Sequence, residues 1–337
     1  MRLRPLAPLA LAALSAACGS AAPPPAAPAA PSPTPTCSVA PAPPVVASAA
    51  TTSSAPPPPA PPPPATPAPP PAALKDALDA ADKAITAGNM NEADKQLSAA
   101  EKAAGDDPHL AYLVARVRAT RFVVAGDFDR AGAAYAAVIP SLAKHPELQD
   151  EFWCHNAMMM IREAQGDPAA ALAENDQATL CAARGTWDPQ DRDTLAFQKD
   201  RWHRAYLTRM LAESRTGSTK RALVQYAEAA LADYRTRGFP ESVAVLEAYF
   251  AALDGKKDAA LGAAKRVDPA KDDDVEDLYL VVVGLEAGGD HAAAEAVRRV
   301  MRRPAPARTS RAIMLRWLDL DAKPRAGGFT PWHATAR

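Results

Sequence analysis

The chain has 337 residues and a formal net charge of −1, so no overall basic bias draws it to nucleic acid. The charge is unevenly spread: none falls between Arg4 and Lys75, and 22 of the 35 prolines lie between residues 21 and 73. The remainder, about 260 residues, is charged, rich in Ala and poor in aromatics, a composition that favours close-packed helices over sheet in one large or two small domains.

Residues 1–17 open with Arg2 and Arg4 and continue in an apolar run from Leu6 to Ala17, broken only by Pro8 and Ser15. A run of about twelve residues is too short to cross roughly 30 Å of hydrocarbon as a helix, and it has the size and order of a secretory signal. Leu14-Ser15-Ala16-Ala17-Cys18-Gly19 resembles the lipobox of bacterial lipoprotein signal peptides, with Ser15 where that family prefers Leu. The resemblance implies cleavage before Cys18, whose thiol carries the lipid. Each buried methylene contributes about 0.8 kcal/mol, so one acyl chain holds weakly and several hold firmly. Gly19 and Ser20 lack the acidic signal that retains such proteins in the inner membrane. The resemblance therefore implies an outer-membrane anchor facing the periplasm, with surface display as a variant. The other reading is an ordinary signal peptide with Cys18 incidental.

Residues 18–73 are Pro, Ala, Ser and Thr with almost nothing to bury, a composition expected to stay disordered and to favour polyproline II. At about 3.1 Å per residue, fifty such residues reach roughly 150 Å, so the segment reads as a spacer. Cys37 sits alone in it, as a free thiol, an intermolecular bridge or a residue without a role.

From residue 74 to 321 the periodicity is helical. Helices are expected near 74–87, 90–104, 108–125, 128–143, 146–165, 168–183, 189–215, 218–237, 240–253, 256–266, 272–287, 290–303 and 309–320. Asp167-Pro168 and Asp188-Pro189 read as N-cap followed by first helical residue. Gly88, Gly126, Gly166, Gly217, Gly255 and Gly288 are each followed by small or apolar residues at offsets near five, nine and twelve, which lie on one helix face. The best copies are GDFDRAGAAYAAVIP from Gly126 and GSTKRALVQYAEAAL from Gly217. They resemble the second half of the tetratricopeptide repeat. The glycine spacings of 38, 40, 51, 38 and 33 depart from that family's period of about 34, and the first-helix aromatic signature is poor. The expected fold is all-α, an α-solenoid of antiparallel helix hairpins after the disordered linker. The last helix, 309–320, is expected to cap the exposed core, and residues 322–337 form an irregular tail.

No catalytic motif or cofactor loop is recognisable, and the histidines His109, His145, His155, His203, His291 and His333 form no metal-ligand spacing. Cys154 and Cys181 flank the turn at Gly166 at similar distances, which brings a disulfide within reach in an oxidising compartment; two buried thiols are the alternative. Arg298, Arg299, Arg302 and Arg303 form i,i+4 pairs, a basic patch for an anionic partner or a solvated helix end that suits the dipole. The acidic run from Asp272 to Asp277 suits a helix N-terminus. Trp153, Trp187, Trp202, Trp317 and Met158 to Met160 are expected in the core rather than in a peptide groove, and Trp332 in a frayed tail. The expected role is a non-enzymatic binding scaffold of the cell envelope, membrane-held through lipid, with a protein or peptide partner and no cofactor or nucleic acid. A glycan-acting enzyme or its regulatory subunit is the competing role, for which two opposed, pKa-shifted carboxylates would be the mark. A structural spacer is the third.

Overall fold

The computed structural model describes residues 69–271, 274–303, 305 and 308–321. The signal segment, Cys18, Cys37, the Pro/Ala-rich stretch through residue 68, Asp272, Asp273 and the tail with Trp332 lie outside the described residues.

The described residues are helical and contain no β-strand. In chain order the helices are α1 (Ala72–Thr86), α2 (Met90–Ala104), α3 (Pro108–Val124), α4 (Phe128–Ala136), α5 (Ile139–Leu142), α6 (Asp150–Ala164), α7 (Pro168–Arg184) and α8 (Pro189–Asp193). A π-helical stretch, Thr194–Lys199, leads into α9 (Asp200–Glu213). Then come α10 (Gly217–Arg235), α11 (Pro240–Leu253), α12 (Lys257–Ala264), α13 (Val275–Ala287), α14 (His291–Met301) and α15 (Thr309–Asp321). Starts are set by short polar caps. The side chains of Asn89, Asp107, Asp127, Asp167, Asp274 and Asp290 each accept a backbone N–H of the first turn, satisfying donors that the helix itself leaves open. Asp274 thereby takes the N-terminal role expected of the acidic run.

Three boundaries differ from expectation. The segment expected as one helix over 128–143 breaks between α4 and α5, because the Pro140 ring cannot continue the preceding turn. α6 begins at Asp150 rather than at 146; the Pro146 carbonyl instead accepts the Trp187 indole N–H at 3.0 Å. The long helix over 189–215 is divided by the π-helical stretch into α8 and α9.

Helices adjacent in sequence pack in pairs: α1 with α2, α3 with α4, α6 with α7, α9 with α10, α11 with α12, and α13 with α14. Ion pairs show the antiparallel sense. On α9 and α10, Glu213 meets Lys220 at 2.7 Å while Arg201 meets Asp233 at 3.6 Å, joining near ends and far ends together. The second helix of a pair also packs on the first helix of the next, as α4 does on α6 and α12 on α13. A large apolar core runs from α3 to α15, and a smaller one, with Leu74, Ile85, Leu97 and Val114, joins α1, α2 and α3.

Turn glycines carry the pattern with two corrections. Gly88, Gly126, Gly166, Gly217 and Gly255 have φ between 60° and 79°, the left-handed region that costs glycine least. In the last pair the left-handed residue is Gly289, at φ 84°, not Gly288. Gly288 serves close approach instead, since a Cβ there would lie 2.6 Å from the Leu261 Cβ. The shift makes the last glycine spacing 34 and moves the buried face to Ala294 and Met301. On α10 the expected face is wrong: Ala222 and Ala229 are exposed and Tyr226 is 55% exposed, while Ala227, Leu231 and Tyr234 are buried. Gly217 is the first residue of α10, so this helix runs about a turn longer before its packed face begins.

Candidate functional site

The last helix is where the described domain departs most from a simple row of pairs. α15 packs on α13 and also reaches back to α3 and α6, so it lies across the first helices of several pairs rather than at the end of the row. α15 buries Ile313, Met314, Trp317 and Leu318 to 2% exposure or less and leaves Arg316 and Asp319 exposed. This one-sided segment needs apolar cover, and the faces of α3, α6 and α13 supply it, so it covers more of the core than the last pair alone.

Both ends of α15 are held by buried polar contacts. Thr309 Oγ1 lies 3.1 Å from Thr120 Oγ1 on α3 and 3.1 Å from Tyr135 Oη on α4. At the other end the Tyr279 hydroxyl on α13 donates to Asp321 at 2.6 Å. Between them the Trp317 ring lies 5.4 Å from that of Tyr279, and Arg316 sits over the Phe128 ring at 5.7 Å. The Arg316 guanidinium also covers Gly126, 3.5 Å from the position a Cβ would take.

The first helices of three pairs, α6, α9 and α13, enclose a polar cluster. Glu163 on α6, His203 on α9 and Glu276 on α13 are 2%, 2% and 6% exposed. The Tyr206 hydroxyl donates to Glu163, and His203 Nε2 lies 3.3 Å from Glu276 Oε2. Burial pushes the Glu163 carboxyl well above the ordinary carboxylate range, and the charge of Glu276 pushes it further. Among the described residues, Trp202 Nε1, His203 Nδ1, Glu163 Oε2 and Glu276 Oε1 have no protein hydrogen-bond partner. A carboxyl raised by burial with a second carboxyl near it is an arrangement that can divide acid from base roles. Here, however, both groups are enclosed by the helices that carry them. Reading the sequence missed this cluster because its members come from three helices that no local spacing relates.

The other sequence-predicted residues are placed as follows. Cys154 and Cys181 are free, buried thiols, so the expected bridge is not formed in this structure. Cys154 belongs to the large core with Tyr112 and Tyr135, whereas Cys181 belongs to a small cluster with Phe152, Ala178, Ala182 and Trp187. The basic patch is smaller than expected. Arg298 is buried and pairs with Glu286 at 2.6 Å, while Arg299, Arg302 and Arg303 are exposed, Arg302 in a surface pair with Asp319 at 2.9 Å. Trp187, Trp202, Trp317 and Met158 to Met160 lie in the cores, with Trp153 packed against them. Glu151 and His155, one turn apart on α6, meet Cys181 of α7, and their ligand atoms lie within 4.8 Å of one another. Sequence spacing within a single element could not reveal this trio.

An open groove of about 640 Å³ between α10, α11 and α12 is lined by charges that neutralise one another, Glu247 pairing with both Arg235 and Arg266. No protein-family model matches the chain, and no curated protein matches it.

Proposed function

We propose that this protein is a non-enzymatic interaction scaffold of the cell envelope, anchored through lipid on Cys18 and carrying a tetratricopeptide-like α-solenoid on a disordered Pro/Ala-rich spacer. The observation that carries this reading is the seating of α15 across α3, α6 and α13. A face that already accepts an amphipathic helix, with an apolar centre and a polar clamp at each end, has the chemistry for a helical segment of an envelope protein or peptide. In this reading α15 holds the face until a partner segment takes its place.

The enclosed carboxylates Glu163 and Glu276 favour the scaffold over a glycan-acting enzyme. A polymeric sugar needs an open cleft between its two acids, and these are 2% and 6% exposed.

The test is a cross-linking capture from envelopes with the full chain and with a chain ending at residue 308. The shortened chain is expected to capture a specific partner more strongly, and a synthetic peptide of residues 309–321 is expected to compete. No recovered partner, or a partner indifferent to both α15 removal and the peptide, would count against the scaffold.

A further inference from the structure

The contact between α6 and α7 contains a set of donors that the scaffold reading does not use. Glu151 and His155 are four residues apart and share one face of α6, while Cys181 projects from the antiparallel α7 at the same height. The three are 6%, 9% and 4% exposed, and one ligand atom from each falls within a 4.8 Å span. His155 is also oriented. Its Nδ1 lies 2.7 Å from Glu174 Oε2, one carboxylate further along α7. With the proton on Nδ1 donated to Glu174, the lone pair stands on Nε2, the arrangement that carboxylates impose on metal-binding imidazoles.

A cation already sits at the edge of this set. The Arg184 guanidinium pairs with Glu151 and lies 3.4 Å from Cys181 Sγ. Its side chain is 48% exposed, so it can turn out into solvent and vacate the position facing Glu151 and Cys181. The outward side then supplies both a path for an ion and a place for a water ligand.

We propose that Glu151, His155 and Cys181 form a zinc site that clips α6 to α7, with Arg184 as the displaceable cation and water as the fourth ligand. One thiolate, one imidazole and one carboxylate suit a borderline-soft divalent ion that prefers four ligands. Ligand distances of about 2.0–2.3 Å place tetrahedral donors about 3.5 Å apart, so the trio must draw in by about an ångström, within the reach of side-chain rotation. Binding exchanges the Cys181 thiol proton for the metal: the S–H bond breaks, an S–Zn bond forms and the proton leaves to solvent. Because the thiol must give up its proton to bind, zinc binding releases that proton.

The test uses the full-length chain, stripped by a chelator and titrated with Co²⁺ as a spectroscopic stand-in. One equivalent is expected to give thiolate-to-cobalt charge-transfer absorption with the visible bands of a four-coordinate ion, and Zn²⁺ is expected to displace it. Cys181→Ser should abolish the charge-transfer band, Glu174→Gln should weaken binding about 10–100-fold, and Cys37→Ser and Cys154→Ser should leave the band in place. Arg184→Ala changes a half-exposed side chain, keeps the fold, and should bind several-fold more tightly. A folded wild-type chain without the band, a band that survives Cys181→Ser, or a folded Arg184→Ala chain that fails to bind overturns the proposal.

Discussion

At Glu163 the protein keeps a carboxyl almost out of water, with Tyr206 donating to it and the charge of Glu276 acting on it. Its folded pKa is raised above the ordinary value of 4.5. A raised acid contributes stability that is fully present below the unfolded pKa and is lost as pH rises through the folded one. The urea midpoint is therefore expected to fall as pH climbs from about 4.5 upward, and Glu163→Gln should flatten that part of the curve. Equal pH dependence in the two chains would show that another group controls it. Glu163 was not legible in the sequence as a special residue. It is one acid among many, and only the approach of α9 and α13 makes it a buried one. The same holds for Arg298, whose apparent place in a surface patch gave way to a buried pair with Glu286.

Among the elements, α10 shows how far periodicity carries and where it fails. Helix limits were readable because the caps are chemical: Asn or Asp at the N-cap, Pro at the first position and Gly in the turn all act locally. The packed face of α10 was not readable, because Ala lies on both sides and commits to neither. The structure places Ala227 inside at 0% exposure and Ala222 outside. Ala227→Leu is expected to overpack the core at a cost of about 1–3 kcal/mol. Ala222→Leu should stay within about 0.5 kcal/mol of wild type. Chemical denaturation of both decides the face, and the reverse order would restore the register read from Gly217. α15 makes a related point: its amphipathic pattern announced a helix, but the pattern holds nothing about which helices would cover it.

For the whole molecule, the proposed anchor and the described domain are separate features. Among the described residues no helix is long and apolar enough to cross a membrane. The proposed attachment is the lipid on Cys18. Metabolic labelling with a fatty-acid probe is expected to mark the wild-type chain and to be lost in Cys18→Ala, with the helical far-UV spectrum unchanged. Labelling that persists in the variant would refute the anchor. The zinc clip and the seat of α15 both lie far along the chain from Cys18, so loss of the lipid should leave each of them intact.

The sequence by itself determined that residues 74–321 would be largely helical, where most helices would start and stop, and that glycine turns would join them in pairs. Those properties depend on neighbours within a turn or two, where caps, prolines and glycines act regardless of the rest of the chain. Only the tertiary structure decided which face of α10 packs, that α15 lies across α3, α6 and α13, and that Cys154 and Cys181 fall into different clusters. It alone brought Glu163 to Glu276 and Glu151 and His155 to Cys181. Such meetings depend on how helices distant in sequence stack, and an Ala-rich helix offers too little side-chain shape for one strand of letters to specify its neighbours.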